Sequence, residues 1–94
     1  MIVLSRFRVP ATDAEGFMAQ ARAAVAVLAG RPGFLSADLG QNLDEPALFT
    51  LTTRWRDVGS YRRALSGYEA KTVVVPLLSH ALDEPSAYEE PELL

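Results

Sequence analysis

Ninety-four residues with a mass of 10.2 kDa leave room for one domain, and 49% hydrophobic with 22% charged residues is the composition of a packed chain rather than a disordered one. The absence of cysteine excludes disulfides, thiolate metal sites, iron–sulfur clusters and cysteine nucleophiles, and the lone His80 cannot build a zinc site. The net charge of −3 is uneven, because five acids (Asp83, Glu84, Glu89, Glu90, Glu92) fall in the last twelve residues and residues 1–82 carry nine bases against seven acids.

Met1 to Val9 alternates, with Val3, Ser5, Phe7 and Val9 on one face and Ile2, Leu4, Arg6 and Arg8 on the other, and predicts a strand ended by Pro10. Thr12 followed by Glu15 predicts a capping box opening a helix over about residues 13–29. Its buried stripe is Phe17, Ala21, Ala24, Val25 and Leu28, and Gly30, Pro32 and Gly33 stop it. Phe34 to Leu43 reads as a second strand, Asp44-Glu45-Pro46 as a turn, and Ala47 to Trp55 as a third strand with Phe49, Leu51, Thr53 and Trp55 on one face. Asp57 caps a second helix whose expected inner stripe is Val58, Tyr61, Leu65, Tyr68 and Thr72. Leu77 to Asp83 is expected to be a fourth strand, and residues 85–94 an acidic tail or arm.

The order strand–helix–strand–strand–helix–strand predicts an α+β, ferredoxin-like βαββαβ domain over residues 1–84, an antiparallel sheet with both helices on one face. Apolar residues on both sides of the first strand predict that the helix-free face is covered by a second copy, making a homodimer. Eight arginines scattered from Arg6 to Arg63 form no basic stripe, so no nucleic-acid partner is expected. The longest apolar run, Ala23 to Ala29, is too short to span a bilayer, and Arg6 and Arg8 interrupt any signal-peptide core. No membrane partner and a cytoplasmic location are expected.

Three stretches carry a resemblance: Gly30-Arg31-Pro32-Gly33-Phe34 after the first helix, Thr53-Arg54-Trp55 ending the third strand, and Trp55-Arg56-Asp57-Val58-Gly59-Ser60-Tyr61 leading into the second helix. Over about residues 2–84 the chain resembles the antibiotic biosynthesis monooxygenase family, which implies a dimeric α+β barrel. By that resemblance quinol-oxidising members hold a polyphenol between sheet and helices, using a tryptophan and a tyrosine at the positions of Trp55 and Tyr61. The family's pocket asparagine and arginine fall near Leu51 and Val75 here. The haem-degrading branch has an asparagine, a tryptophan and a histidine where this chain has Ser5, Ala64 and no histidine.

Trp55, Tyr61, Tyr68, Phe7 and Ser5 are therefore the candidate substrate-binding residues, and Tyr61 and His80 the candidate catalytic ones. Trp55 and the two tyrosines also suit ordinary core positions. His80 is singled out because histidine alone has an unperturbed pKa near neutrality, although an edge or dimer-interface position is the commoner role for a single histidine. Arg6 and Arg8 share a face and are spaced to hold a carboxylate or a phenolate, while the acid pairs Asp44-Glu45, Asp83-Glu84 and Glu89-Glu90 are expected to be solvated. No nucleotide or hydrolase motif is present. The resulting expectation is a monooxygenase acting on a small aromatic substrate with no metal, flavin or nicotinamide cofactor. The alternative is a non-catalytic homodimeric ligand-binding or interaction protein of the same fold.

Overall fold

The computed structural model describes residues 1–94. Strands β1 (Ile2–Arg8), β2 (Phe34–Gln41), β3 (Leu48–Trp55) and β4 (Ala87–Tyr88) form one antiparallel sheet in the order β2-β3-β1-β4. Helix α1 (Ala14–Ala29) lies between β1 and β2, and α2 (Val58–Ala64) follows β3. This is the expected ferredoxin-like α+β plan.

The period-two pattern of β1 and β3 sets the faces. Val3, Phe7, Phe49, Leu51 and Trp55 are buried, together with Ser5 and Thr53, against Phe17, Ala21, Ala24 and Leu28 of α1. Phe17 stacks on Phe7 and Phe49 with ring centroids 5.0 and 5.1 Å away. The opposite face, with Ile2, Leu4, Arg6, Leu48, Thr50 and Thr52, is only part-buried and has no helix packed over it.

The hairpin between β2 and β3 turns on Asn42, whose Oδ1 accepts from the amides of Asp44 and Glu45 at 2.9 and 2.8 Å. At the far end, Gly33 has φ +87°, and a Cβ there would overlap Ser60 Oγ and Cβ. Asp57 caps α2 as expected, accepting from the Ser60 amide at 2.7 Å.

Three expectations need correction. The Thr12–Glu15 capping box does not form: a 3₁₀ turn, Ala11–Asp13, leads into α1, and backbone bonds such as Asp13 N to Pro10 O (2.9 Å) take the place of a side-chain cap. The helix after Asp57 is not continuous. It stops at Ala64, and a helical run resumes beyond Gly67 with a π turn, Ala70–Val74, passing into α3 (Val75–Leu78).

Pro76 accounts for the π turn, because it has no amide to donate and its ring crowds the carbonyl four residues back, which a widened turn relieves. The break and the π turn move the buried stripe to Ser60, Ala64, Ala70, Val74 and Leu77, leaving Tyr68 82% exposed and Thr72 exposed. Finally, Leu77 to Asp83 is not a strand; the fourth strand is Ala87–Tyr88, paired to Ile2 and Val3.

Candidate functional site

Trp55 ends β3 and anchors the site from below. It is 1% exposed, its indole Nε1 donates to Thr53 Oγ1 at 2.9 Å, and the Phe34 ring meets it edge-on at 5.4 Å. Tyr61, one turn into α2, lies over it with centroids 5.7 Å apart and planes at 54°. Trp55 thus supports Tyr61 from the core and does not line the cavity into which Tyr61 opens.

Tyr61 opens into a cavity of about 410 Å³ at the edge of β1. Leu4 and Ser5 form its floor, and a strap made by the end of α3 and the chain after it, with Leu78, Ser79, Ala81 to Glu84 and Ser86, forms its outer wall. The strap is tied to β1 at two backbone bonds, Leu82 N to Arg6 O at 2.8 Å and Leu4 N to Ser86 O at 2.7 Å. Between them Arg6 grips Glu84 in a two-pronged pair, Nε to Oε1 at 2.6 Å and Nη2 to Oε2 at 2.8 Å. The pair holds the Glu84 carboxyl below its ordinary pKa and raises that of the Arg6 guanidinium, in both cases chiefly through the side-chain hydrogen bond.

Arg6 and Arg8 therefore do hold carboxylates, but those of this chain, since Arg8 Nη1 also meets Glu45 Oε1 at 2.7 Å. Glu45 stays solvated as expected, 55% exposed in its pair with Arg8, whereas the expectation is corrected at Glu84 and Glu89, which are part-buried, the last lying 3.6 Å from the N-terminal amine. Asp83, also in the cavity wall, has no ion pair.

Of the residues singled out from sequence, the structure gathers Tyr61 and Ser5 at one cavity, with Trp55 behind. Neither hydroxyl hydrogen-bonds within the chain, and burial pushes the Tyr61 phenol above its ordinary pKa. Phe7 belongs to the Phe17–Phe49 cluster and Tyr68 to a separate cavity beyond α2. His80, exposed at the turn after α3, faces grooves shared with Gln20 of α1. No three His, Asp or Glu side chains come together as a possible metal site, and no helix is long and apolar enough to cross a membrane.

Sequence reading did not find the strap residues Leu82, Asp83 and Glu84 as cavity walls. The available signal was Arg6 on a strand face with an acid pair still unassigned near the C-terminus.

Sheet and helices define a ferredoxin-like α+β domain with a cavity at the edge of β1. The chain belongs to the antibiotic biosynthesis monooxygenase family, whose sequence model matches residues 1–74. Among solved structures it is similar to an asparagine-to-alanine variant of SnoaB, a cofactor-independent oxygenase from Streptomyces nogalater, with TM-score 0.74 and 25% identity over 86% of this chain and 82% of that one. Two others share the fold: a conserved protein from Methanosarcina mazei Go1 (TM-score 0.74, 23% identity, 92% and 84% covered) and PA3566 from Pseudomonas aeruginosa (0.70, 21%, 95% and 92%). No curated protein matches the sequence.

Proposed function

We propose that this chain is a cytoplasmic homodimeric monooxygenase that oxidises an electron-rich aromatic or polyketide-like quinol with molecular oxygen, without metal, flavin or nicotinamide, in the cavity beside Tyr61. Family membership and the likeness to a cofactor-independent oxygenase support the reaction class. The observation that carries it to this cavity is the pair of free hydroxyls, Tyr61 and Ser5, on the walls of one space of about 410 Å³.

In such a reaction the ionised substrate gives an electron to oxygen; one oxygen atom stays on the ring and the other leaves as water. The protein's part is orientation and exclusion of solvent. Tyr61, a neutral phenol whose ionisation burial makes harder still, donates to a substrate oxygen rather than removing a proton. Asp83 is the unpaired carboxylate of the wall and accepts the substrate proton, whereas Glu84 is occupied by Arg6. His80, on the other side of α3, takes no part. The helix-free sheet face packs on a second copy, and residues 85–94 act as an acidic arm anchored to β1 by Ala87–Tyr88.

One observation favours a second reading, a non-catalytic ligand-binding dimer. The places of the family's pocket asparagine and arginine are taken by Leu51, 3% exposed in the core, and Val75, neither of which hydrogen-bonds through its side chain. Oxygen uptake with naphthoquinols and anthrones decides between them. The oxygenase reading expects uptake above the protein-free rate, with kcat/KM reduced about tenfold or more in Tyr61→Phe through loss of one hydrogen bond to a charged oxygen. Binding of these compounds without uptake establishes the second reading.

A further inference from the structure

On the opposite side of α2 from the Tyr61 cavity, α1 and the chain entering the π turn enclose a space of about 510 Å³. Its inner walls are small and apolar, with Ala26, Val27, Ala64 and Ala70, and Tyr68 stands at it with most of its ring in solvent. The charged wall is Arg31. Its Nε is the one buried side-chain polar atom in the chain with no hydrogen-bond partner, and no carboxylate lies within ion-pair distance of its guanidinium.

The single contact of that guanidinium, Nη2 to the Arg63 carbonyl, is at the 3.5 Å limit. That carbonyl already accepts from the amide and the hydroxyl of Ser66, at 3.1 and 2.7 Å, so Arg31 is not needed to satisfy it. Gly67 leaves the approach to the guanidinium open, since a Cβ there would meet only Arg31 Nη1, at 3.9 Å. A part-desolvated cation without a counter-charge costs stability, and its presence calls for an explanation.

We infer that this cavity is a second binding site, taking a small carboxylate with a compact apolar or aryl body. The carboxylate pairs with the Arg31 fork, the apolar body lies on the alanine wall, and the Tyr68 ring covers it. Glu69, exposed on the rim, is the like charge that limits affinity. The site is separate from the proposed oxidation and stands without it.

The test uses the whole protein titrated with benzoate, and with acetate and inorganic phosphate at matched ionic strength, followed by amide chemical shifts and by thermal stability. Saturable benzoate binding is expected, with shifts clustered at residues 26–31 and 64–70 rather than 78–86. Arg31→Gln should weaken it about tenfold or more and Tyr68→Ala about threefold, while Glu69→Gln tightens it. The ligand-free Arg31→Gln protein should melt no lower than the wild type, because an unpaired cation has been removed. A lower melting temperature would show that Arg31 is structural and overturn the inference. So would unsaturable binding, unchanged binding in Arg31→Gln, shifts confined to the Tyr61 cavity, or phosphate preferred to benzoate.

Discussion

Gly33→Ala tests how the loop after α1 is locked to the start of α2, and with it the placement of Tyr61. Two costs combine. Gly33 has φ +87°, where a residue with a Cβ is strained by about 1–2 kcal/mol. The new Cβ also overlaps the Ser60 side chain, which is 1% exposed, so Ser60 must move and strain its amide bond to Asp57, a cap whose loss costs about 1 kcal/mol. The expected destabilisation is about 2–4 kcal/mol. Chemical denaturation at one fixed protein concentration measures it, concentration mattering because an associating chain gains stability by mass action. Ser60→Gly removes the overlap but keeps the amide that Asp57 caps, so the double variant should recover the steric part and retain the backbone part. A Gly33→Ala protein within about 0.5 kcal/mol of wild type, or strict additivity in the double variant, refutes the lock.

Trp55→Phe should cost about 2–3 kcal/mol, from a void and from the Thr53 hydroxyl left without its partner in the core, and Thr53→Val should offset part of that loss in the double variant, as measured by the same denaturation. The strap has a pH dependence. Because the folded Glu84 pKa is depressed, its contribution is fully present above the ordinary carboxylate range and is lost as pH falls through the depressed value. Protection of the Leu82 and Leu4 amides from hydrogen exchange, relative to the intrinsic rate at each pH, should therefore fall below about pH 4 in the wild type, whereas in Glu84→Gln it should already be low at neutral pH and show no such step.

What was legible in the sequence is what obeys a simple period. β1 and β3 alternate strictly, so the burial of Val3, Ser5, Phe7, Phe49, Leu51, Thr53 and Trp55 follows directly, and the Phe17–Leu28 stripe of α1 follows from 3.6-residue spacing. The Asp57 cap was legible because its chemistry is local. The second helical region was not, because a break at Ser66-Gly67 and a π turn before Pro76 displace the stripe, exposing Tyr68 and burying Ala70 and Val74. β4 has two residues, too few to show alternation, and is fixed by pairing with Ile2 and Val3 across more than eighty residues of chain.

The candidate site was half legible for the same reason. Tyr61 and Ser5 come from regular elements, whereas the strap that closes the cavity is irregular chain recognisable only through the long-range Arg6–Glu84 pair.

The most direct test of the oxidation site is a crystal structure of the protein soaked, without oxygen, in hydroxylated naphthoquinols and anthrones. An ordered ring is expected in the space bounded by Tyr61, Ser5 and the strap, with a ring oxygen within hydrogen-bond reach of the Tyr61 hydroxyl. A groove filled by its own side chains, or a ligand bound only elsewhere on the chain, would contradict it.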